Sequence, residues 1–528
     1  MTKPDCPGRR QWLAGSASLG FAALGLTGCA TGGAPLPIRG ASGDAPVAIV
    51  AQGELRGRRD GDVLLFMRVP YAADPYLAEN RFQPPRPPAA WRGERDATAT
   101  GPMLPQLSRA PGGGLAGAAG ELTLNIWAPK DARNAPVLVW LPGGAFYRVD
   151  ASEGWYDGSG FARRGIVVVT VNYRVGIDGF MAVDGAPPNR GLLDQVAALQ
   201  WVQKNIAAFG GNAGDVTLAG QSAGAQSVML LMGMPAAQGL FHKAIAQSPP
   251  QNHFSPDQAR RIAQATAEVL KVEPTAQGLA AVPLPALIAA TETMIGELRN
   301  VAKWGPIGGQ PPYLPVVDGS VLAASPLAAL TRHAKRELPL LIGSTDEEAR
   351  LYLVPGGAID RIPAPAVAAA LQRARLPAEA EAVYRQVRPE ASPGDMMAAF
   401  ESDQTFRIPS LRFAENRVAA GAPVWVYQFA WPSPGFGGRL GAAHVVDVPF
   451  AFDTLATAQA RPFLGGPGYQ PLADEMHARW TRFVKTGDPG WSRYELATRP
   501  TMQFAAASAV LPDPLAARRR LWAERAFD

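Results

Sequence analysis

"VTLAGQSAGAQSVMLLMG", Val216 to Gly233, decides how this chain folds. Val216 to Gly220 is a brief apolar run that reads as a strand, and Ala223 to Gly233 is compatible with a helix. Between them lies Gly220-Gln221-Ser222-Ala223-Gly224, a G-x-S-x-G turn. A serine on a sharp strand-to-helix turn projects its hydroxyl above the edge of a sheet. Gly220 and Gly224 leave room for the strand and helix to pass closely. The helix N-terminus favours negative charge, and the Ala223 N–H is placed as one donor to an oxyanion. Ser222 is therefore the candidate nucleophile. The bland alternative is a packing serine in a tight turn, so the chain must supply partners.

The flanking sequence alternates strand-like and helix-like runs, the mark of a mostly parallel sheet flanked by helices. "PVLVWL" (Pro136 to Leu141) and "IVVVTVNY" (Ile166 to Tyr173) are continuous apolar runs, as expected of strands buried on both faces. Leu192, Val196, Leu199, Val202 and Ile206 recur at helical spacing just before the serine strand. After the first of these strands comes "WLPGGAFYRVD" (Trp140 to Asp150), whose glycine pair lets backbone N–H groups point into a cavity.

With the serine turn, that loop makes the chain resemble the type-B carboxylesterases, which include para-nitrobenzyl esterases and cholinesterases. Further blocks carry the resemblance in family order: "FMRVPYA" (Phe66 to Ala72), "LTLNIWAP" (Leu122 to Pro129), "VNYRVG" (Val171 to Gly176), "LFHKAIAQS" (Leu240 to Ser248) and "KTGDP" (Lys485 to Pro489). The resemblance runs from about residue 47 to the C-terminus. It implies an α/β-hydrolase fold with helical insertions, about Pro256 to Asn300 and Pro363 to Phe400, capping the catalytic face. It implies oxyanion donors at the backbone N–H groups of Gly144, Ala145 and Ala223. Residue 142 is Pro where the family usually has His or Tyr; it lacks an N–H but precedes the required donors.

A serine nucleophile needs a base and an acid to orient it, in the chain order Ser, acid, His for this fold. "GAAHVVDVPFAF" (Gly441 to Phe452) resembles the family's catalytic-histidine loop, which makes His444 the expected base. His242 precedes a strand and His477 falls on an apparent amphipathic helix; His253 and His333 have no comparable setting. "PLLIGSTDEEARLYL" (Pro339 to Leu353) holds three acids after a strand. Counting from Gly343 along the family pattern puts the triad acid at Glu348, with Glu347 the alternative, because residue 349 is Ala rather than the usual Gly. Ser248 and Asp447 match family positions beside the acid and the histidine loop. Gln221 stands where the family commonly has Glu, which removes a negative charge beside the triad and predicts weaker attraction for cationic esters. Arg148 is expected at the surface or in a salt bridge rather than on an anionic substrate.

The function implied is a serine carboxylesterase acting on small-molecule esters through an acyl-enzyme, with no metal or organic cofactor. Amidase, lactonase and carbamate hydrolase activities use the same triad and stay open. A non-catalytic binding protein on this fold would lack Ser, His or the acid, and all three candidates are present.

Composition agrees with one large domain: 528 residues, 47% hydrophobic and 18% charged. The net charge is +5, of which Lys3, Arg9 and Arg10 against Asp5 place +2 in the first 28 residues. The remainder is too small for a nucleic-acid footprint. Residues 1–28 read as an export signal: Arg9-Arg10 resembles a twin-arginine signal, and Trp12 to Leu26 is a mild apolar run too short to span a membrane. Leu26-Thr27-Gly28-Cys29 resembles a lipobox, so Cys29 is the expected lipidation site and membrane anchor. Residues 29–46 read as a flexible tether, and 47–528 as the catalytic domain. Cys6 and Cys29 are the two cysteines, so the mature domain is expected to carry no disulfide. Oligomeric state is not legible.

Overall fold

The computed structural model describes residues 38–41, 45–110, 113–333 and 337–525. The export signal, Cys29 and most of the expected tether lie outside the described residues. Arg39, inside that tether, is paired with the domain: it exchanges backbone hydrogen bonds with Val47, and its guanidinium reaches Glu54 at 2.6 Å.

Eleven strands form the large sheet among the described residues. In chain order they are β1 (Arg58–Asp60), β2 (Val63–Ala72), β3 (Leu122–Pro129), β4 (Ala135–Leu141), β5 (Val167–Val171), β6 (Gly211–Gln221), β7 (Lys243–Gln247), β8 (Leu340–Thr345), β9 (Val424–Phe429), β10 (Pro500–Phe504) and β11 (Ala509–Pro512). Their spatial order is β11-β10-β9-β8-β7-β6-β4-β5-β3-β2-β1. β5, β4, β6, β7, β8, β9 and β10 pair in parallel, and the strands at both edges are antiparallel.

The apolar runs become central strands because helices cover both faces. Every residue of β5 and β7 is buried. The pleat sends Val137, Val139, Val167 and Val169 into one hydrophobic cluster, and Leu138, Trp140, Val168 and Ile245 into another on the opposite face. Each such side chain contributes about 1.5–3 kcal/mol by leaving water. α1 (Arg190–Asn205) lays Leu192, Val196, Leu199 and Val202 on the first cluster; α2 (Ala223–Gly233) joins it and is buried throughout.

The expected caps fold as helices. The first segment forms α3 (Pro256–Leu270) and α4 (Leu284–Glu297). The second forms α5 (Ala364–Arg373) and α6 (Pro393–Ser402), with Val367, Leu371, Met396 and Phe400 in a satellite core against Leu521 and Trp522. α6 runs through a π-helical turn, Asp403–Arg407, into α7 (Ile408–Ala419). α8 (Val448–Phe452) and α9 (Gln470–Thr486) close the second face. No helix among the described residues is long and apolar enough to cross a membrane.

Candidate active site

The carboxyl ends of the parallel strands carry all the candidate residues, where an open α/β sheet leaves a crevice. β4 ends at the glycine loop, β6 at Ser222, β7 at Ser248 and β8 before Glu348; β9 leads to the His444 loop.

Ser222 has φ 56° and ψ −124°, a conformation that costs a non-glycine residue about 1–3 kcal/mol. Its N–H donates to Gln247 O at 2.9 Å, and its carbonyl accepts the Gln226 N–H at 2.8 Å. The hydroxyl does not cap α2, so it stays available for chemistry. The turn closes only because two glycines lack Cβ. A Cβ on Gly220 would lie 2.5 Å from Gly224 C, and one on Gly224 would lie 1.9 Å from Leu141 O. The serine turn thus seats directly on the start of the glycine loop.

In that loop Gly144 has φ 136°, and a Cβ there would meet Arg148 O at 2.1 Å. Ala145 and Phe146 follow at φ 52° and 60°, left-handed values that mark a held conformation. The N–H groups of Gly144, Ala145 and Ala223 have no hydrogen-bond partner among the described residues. Backbone donors left free in a packed crevice are unusual, and they suit an incoming oxyanion. Pro142 contributes its carbonyl, which the Tyr173 hydroxyl holds at 2.6 Å. Arg148 is half-buried and forms no salt bridge among the described residues: it donates to Leu107 O at 3.0 Å and Ser108 O at 2.9 Å, and burial lowers its pKa. Its guanidinium meets carbonyls because the Gln106–Leu107 strand runs against the loop, where Gln106 also holds Val149.

The three acids part company. Glu348 is fully buried; its Oε2 holds His444 Nδ1 and its Oε1 accepts the Thr345 N–H at 2.7 Å. Glu347 turns the other way, to Arg350 at 2.8 Å, Arg388 at 2.6 Å and the Ala442 N–H at 3.1 Å. Asp346 pairs with Arg407 at 3.0 Å. His444 is 2% exposed and its Nε2 lies 3.0 Å from Gln221 Nε2. Ser222 Oγ makes no hydrogen bond among the described residues; resting enzymes commonly tighten that contact only with substrate.

Asp447 accepts from Gln247 Nε2 and the Tyr427 hydroxyl, both at 2.9 Å. Burial, then the charge of Glu348, pushes its carboxyl up to about 6. The same burial, and then Asp447 itself, drives the Tyr427 phenol well above its ordinary value. Ser248 is fully buried beside Gly343 of the acid strand, and its Oγ has no partner among the described residues. Of the other histidines, His242 accepts the Val216 N–H at 3.2 Å, His253 meets Gln251 O, and His477 is buried on α9 against Phe161 and Ala451 O. The His333 side chain lies outside the described residues.

Three contributors escaped the sequence reading. Phe406 lies with its ring 4.5 Å from the His444 ring, and the exposed Tyr352 stacks on it 5.8 Å from the same imidazole. Arg407 holds Asp346 O at 2.6 Å and so braces the acid turn. The π-helical turn that aims Phe406 and Arg407 leaves no periodic signal; only their meeting with His444 and Asp346 across the fold gives them a role.

The carboxylesterase family profile matches residues 44–507. The phenmedipham hydrolase of Pseudarthrobacter oxydans is 34% identical over 466 residues, covering 84% of this chain and 90% of its own. The para-nitrobenzyl esterase of Bacillus subtilis (strain 168) is 33% identical over 500 residues, covering 89% and 96%. The crystal structure of the Geobacillus stearothermophilus carboxylesterase is similar with a TM-score of 0.78 at 35% identity, covering 90% of this chain and 99% of that one.

Proposed function

Because the chain belongs to the carboxylesterase family and hydrolyses carboxylic esters, we propose that Ser222, His444 and Glu348 are its catalytic triad. The observation that carries this reading is the buried contact of His444 Nδ1 with the Glu348 carboxylate. A carboxylate there keeps the proton on Nδ1 and leaves the Nε2 lone pair facing the nucleophile's turn. Ser222 Oγ attacks the ester carbonyl while its proton passes to His444 Nε2. The N–H groups of Gly144, Ala145 and Ala223 receive the oxyanion. His444 returns the proton to the departing alcohol, then activates water to release the acid from the acyl-enzyme.

The test is a p-nitrophenyl ester chain-length series, set beside one quaternary-ammonium ester. Ser222→Ala should lower kcat by about 10⁴-fold or more, and neutral esters should be preferred, since Gln221 supplies no negative charge. Full activity in the alanine variant would overturn the nucleophile.

The export reading is carried by residues 1–46, where Arg9-Arg10 and Leu26-Thr27-Gly28-Cys29 stand ahead of the domain. The enzyme is a cell-envelope lipoprotein anchored through Cys29 in this proposal. Cys29→Ala should move it from the membrane to the soluble fraction on fractionation; a variant still in the membrane fraction contradicts the anchor.

A further inference from the structure

The Nε2 lone pair of His444 is occupied, and not by the nucleophile. Gln221 Nε2 lies 3.0 Å from it, between side chains only 1% and 2% exposed. Glu348 on Nδ1 makes neutral Nε2 an acceptor, so the amide must offer its N–H. Gln221 is held in place: it ends β6, and a Cβ on Gly143 would lie 2.7 Å from its carbonyl oxygen and 2.9 Å from its Oε1. The glycine loop therefore closes directly over this side chain. One lone pair accepts one strong donor, so while the amide is there Ser222 cannot be activated.

We infer that Gln221 is a positioning residue that latches His444 in the free enzyme, and that substrate entering the oxyanion loop displaces its amide so that Ser222 takes Nε2. This rests on the triad reading above. The only proton that moves is the Ser222 hydroxyl proton, which goes to Nε2; Gln221 exchanges hydrogen bonds alone. When acid protonates Nε2 in the free enzyme, with the amide still in place, two donors would face each other. A half-turn of the amide then presents Oε1, which accepts from the imidazolium. Glutamine can serve both protonation states, whereas glutamate could serve only the second.

The charged and titratable groups facing the imidazole are Glu348 from the turn after β8, Asp447 from the start of α8 and the Tyr352 phenol. Gln221→Glu adds a carboxylate from β6, while Gln221→Met keeps the length and flexibility without a donor. Two readouts separate the latch from plain packing. Covalent labelling of Ser222 by a small neutral fluorophosphonate should run about threefold or more faster in Gln221→Met, as losing one competing hydrogen bond predicts. The acid limb of kcat/KM for p-nitrophenyl butyrate should move up by about half a pH unit or more in Gln221→Glu, because the added charge favours the imidazolium. Labelling at or below the native rate in a Gln221→Met protein of native melting temperature overturns the latch. So does an unmoved acid limb in Gln221→Glu, which decides alone if the methionine variant does not fold. His444→Ala separates the two ideas: labelling as fast as native would remove His444 as base, whereas lost labelling leaves the triad standing whatever the Gln221 variants do.

Discussion

Glu347 and Glu348 have the same side chain and adjacent places, yet only one meets the imidazole. Glu348 is fully buried on His444, while Glu347 ties Arg350, Arg388 and the Ala442 N–H. The two should therefore fail differently. Glu348→Gln should lower kcat by about 10²–10⁴-fold with little change in melting temperature, since the imidazole loses its orienting charge. Glu347→Gln should keep kcat within about tenfold but cost about 1–3 kcal/mol of stability, read by urea denaturation. A large kcat loss in Glu347→Gln alone would reverse the assignment. Counting along the chain points to Glu348, with Glu347 the alternative; the direction in which each side chain leaves the turn is not a property of the sequence.

At the scale of elements, the site is made by two loops that sit on one another. Gly224 at the head of α2 and Leu141 at the end of β4 are in contact at a spacing that excludes a methyl group. Gly224→Ala should cost at least about 2 kcal/mol and disturb both the serine turn and the glycine loop after β4. Gly296→Ala is the opposite case: it lies in α4 with open space where its Cβ would go, and should stabilise by about 0.5–1 kcal/mol. Paired urea titrations check both signs. The strand-turn-helix order at Gly220-Gln221-Ser222-Ala223-Gly224 was legible because periodicity and glycines are local. The π-helical turn that aims Phe406 at His444 and Arg407 at Asp346 was not, since its role depends on elements far apart in the chain.

For the molecule as a whole, Asp447 makes stability depend on pH. Its folded pKa of about 6 stands above the ordinary value of 3.8, so the folded state holds a proton that the unfolded chain releases between those values. The associated stability is present in full below about 3.8 and is lost as pH rises through about 6. Asp447→Asn removes this titrating carboxyl. Relative to that variant, the native protein should lose about 2 kcal/mol in urea-derived stability between pH 4 and 7. A difference that stays constant across that range would show that Asp447 is not a buried acid of raised pKa.

The sequence by itself determined the parallel sheet, its helical cover, the serine turn and the candidates Ser222, His444 and Glu348. Alternation, helical spacing and short glycine patterns act between near neighbours, and near neighbours are adjacent in sequence. Only the tertiary structure decided which of two glutamates reaches His444, that Arg148 spends its charge on two carbonyls, and that Gln221 occupies Nε2. Each of those depends on which buried polar groups meet across the crevice, where an unmet donor or acceptor is costly. That matching is settled when strands far apart in the chain are brought side by side.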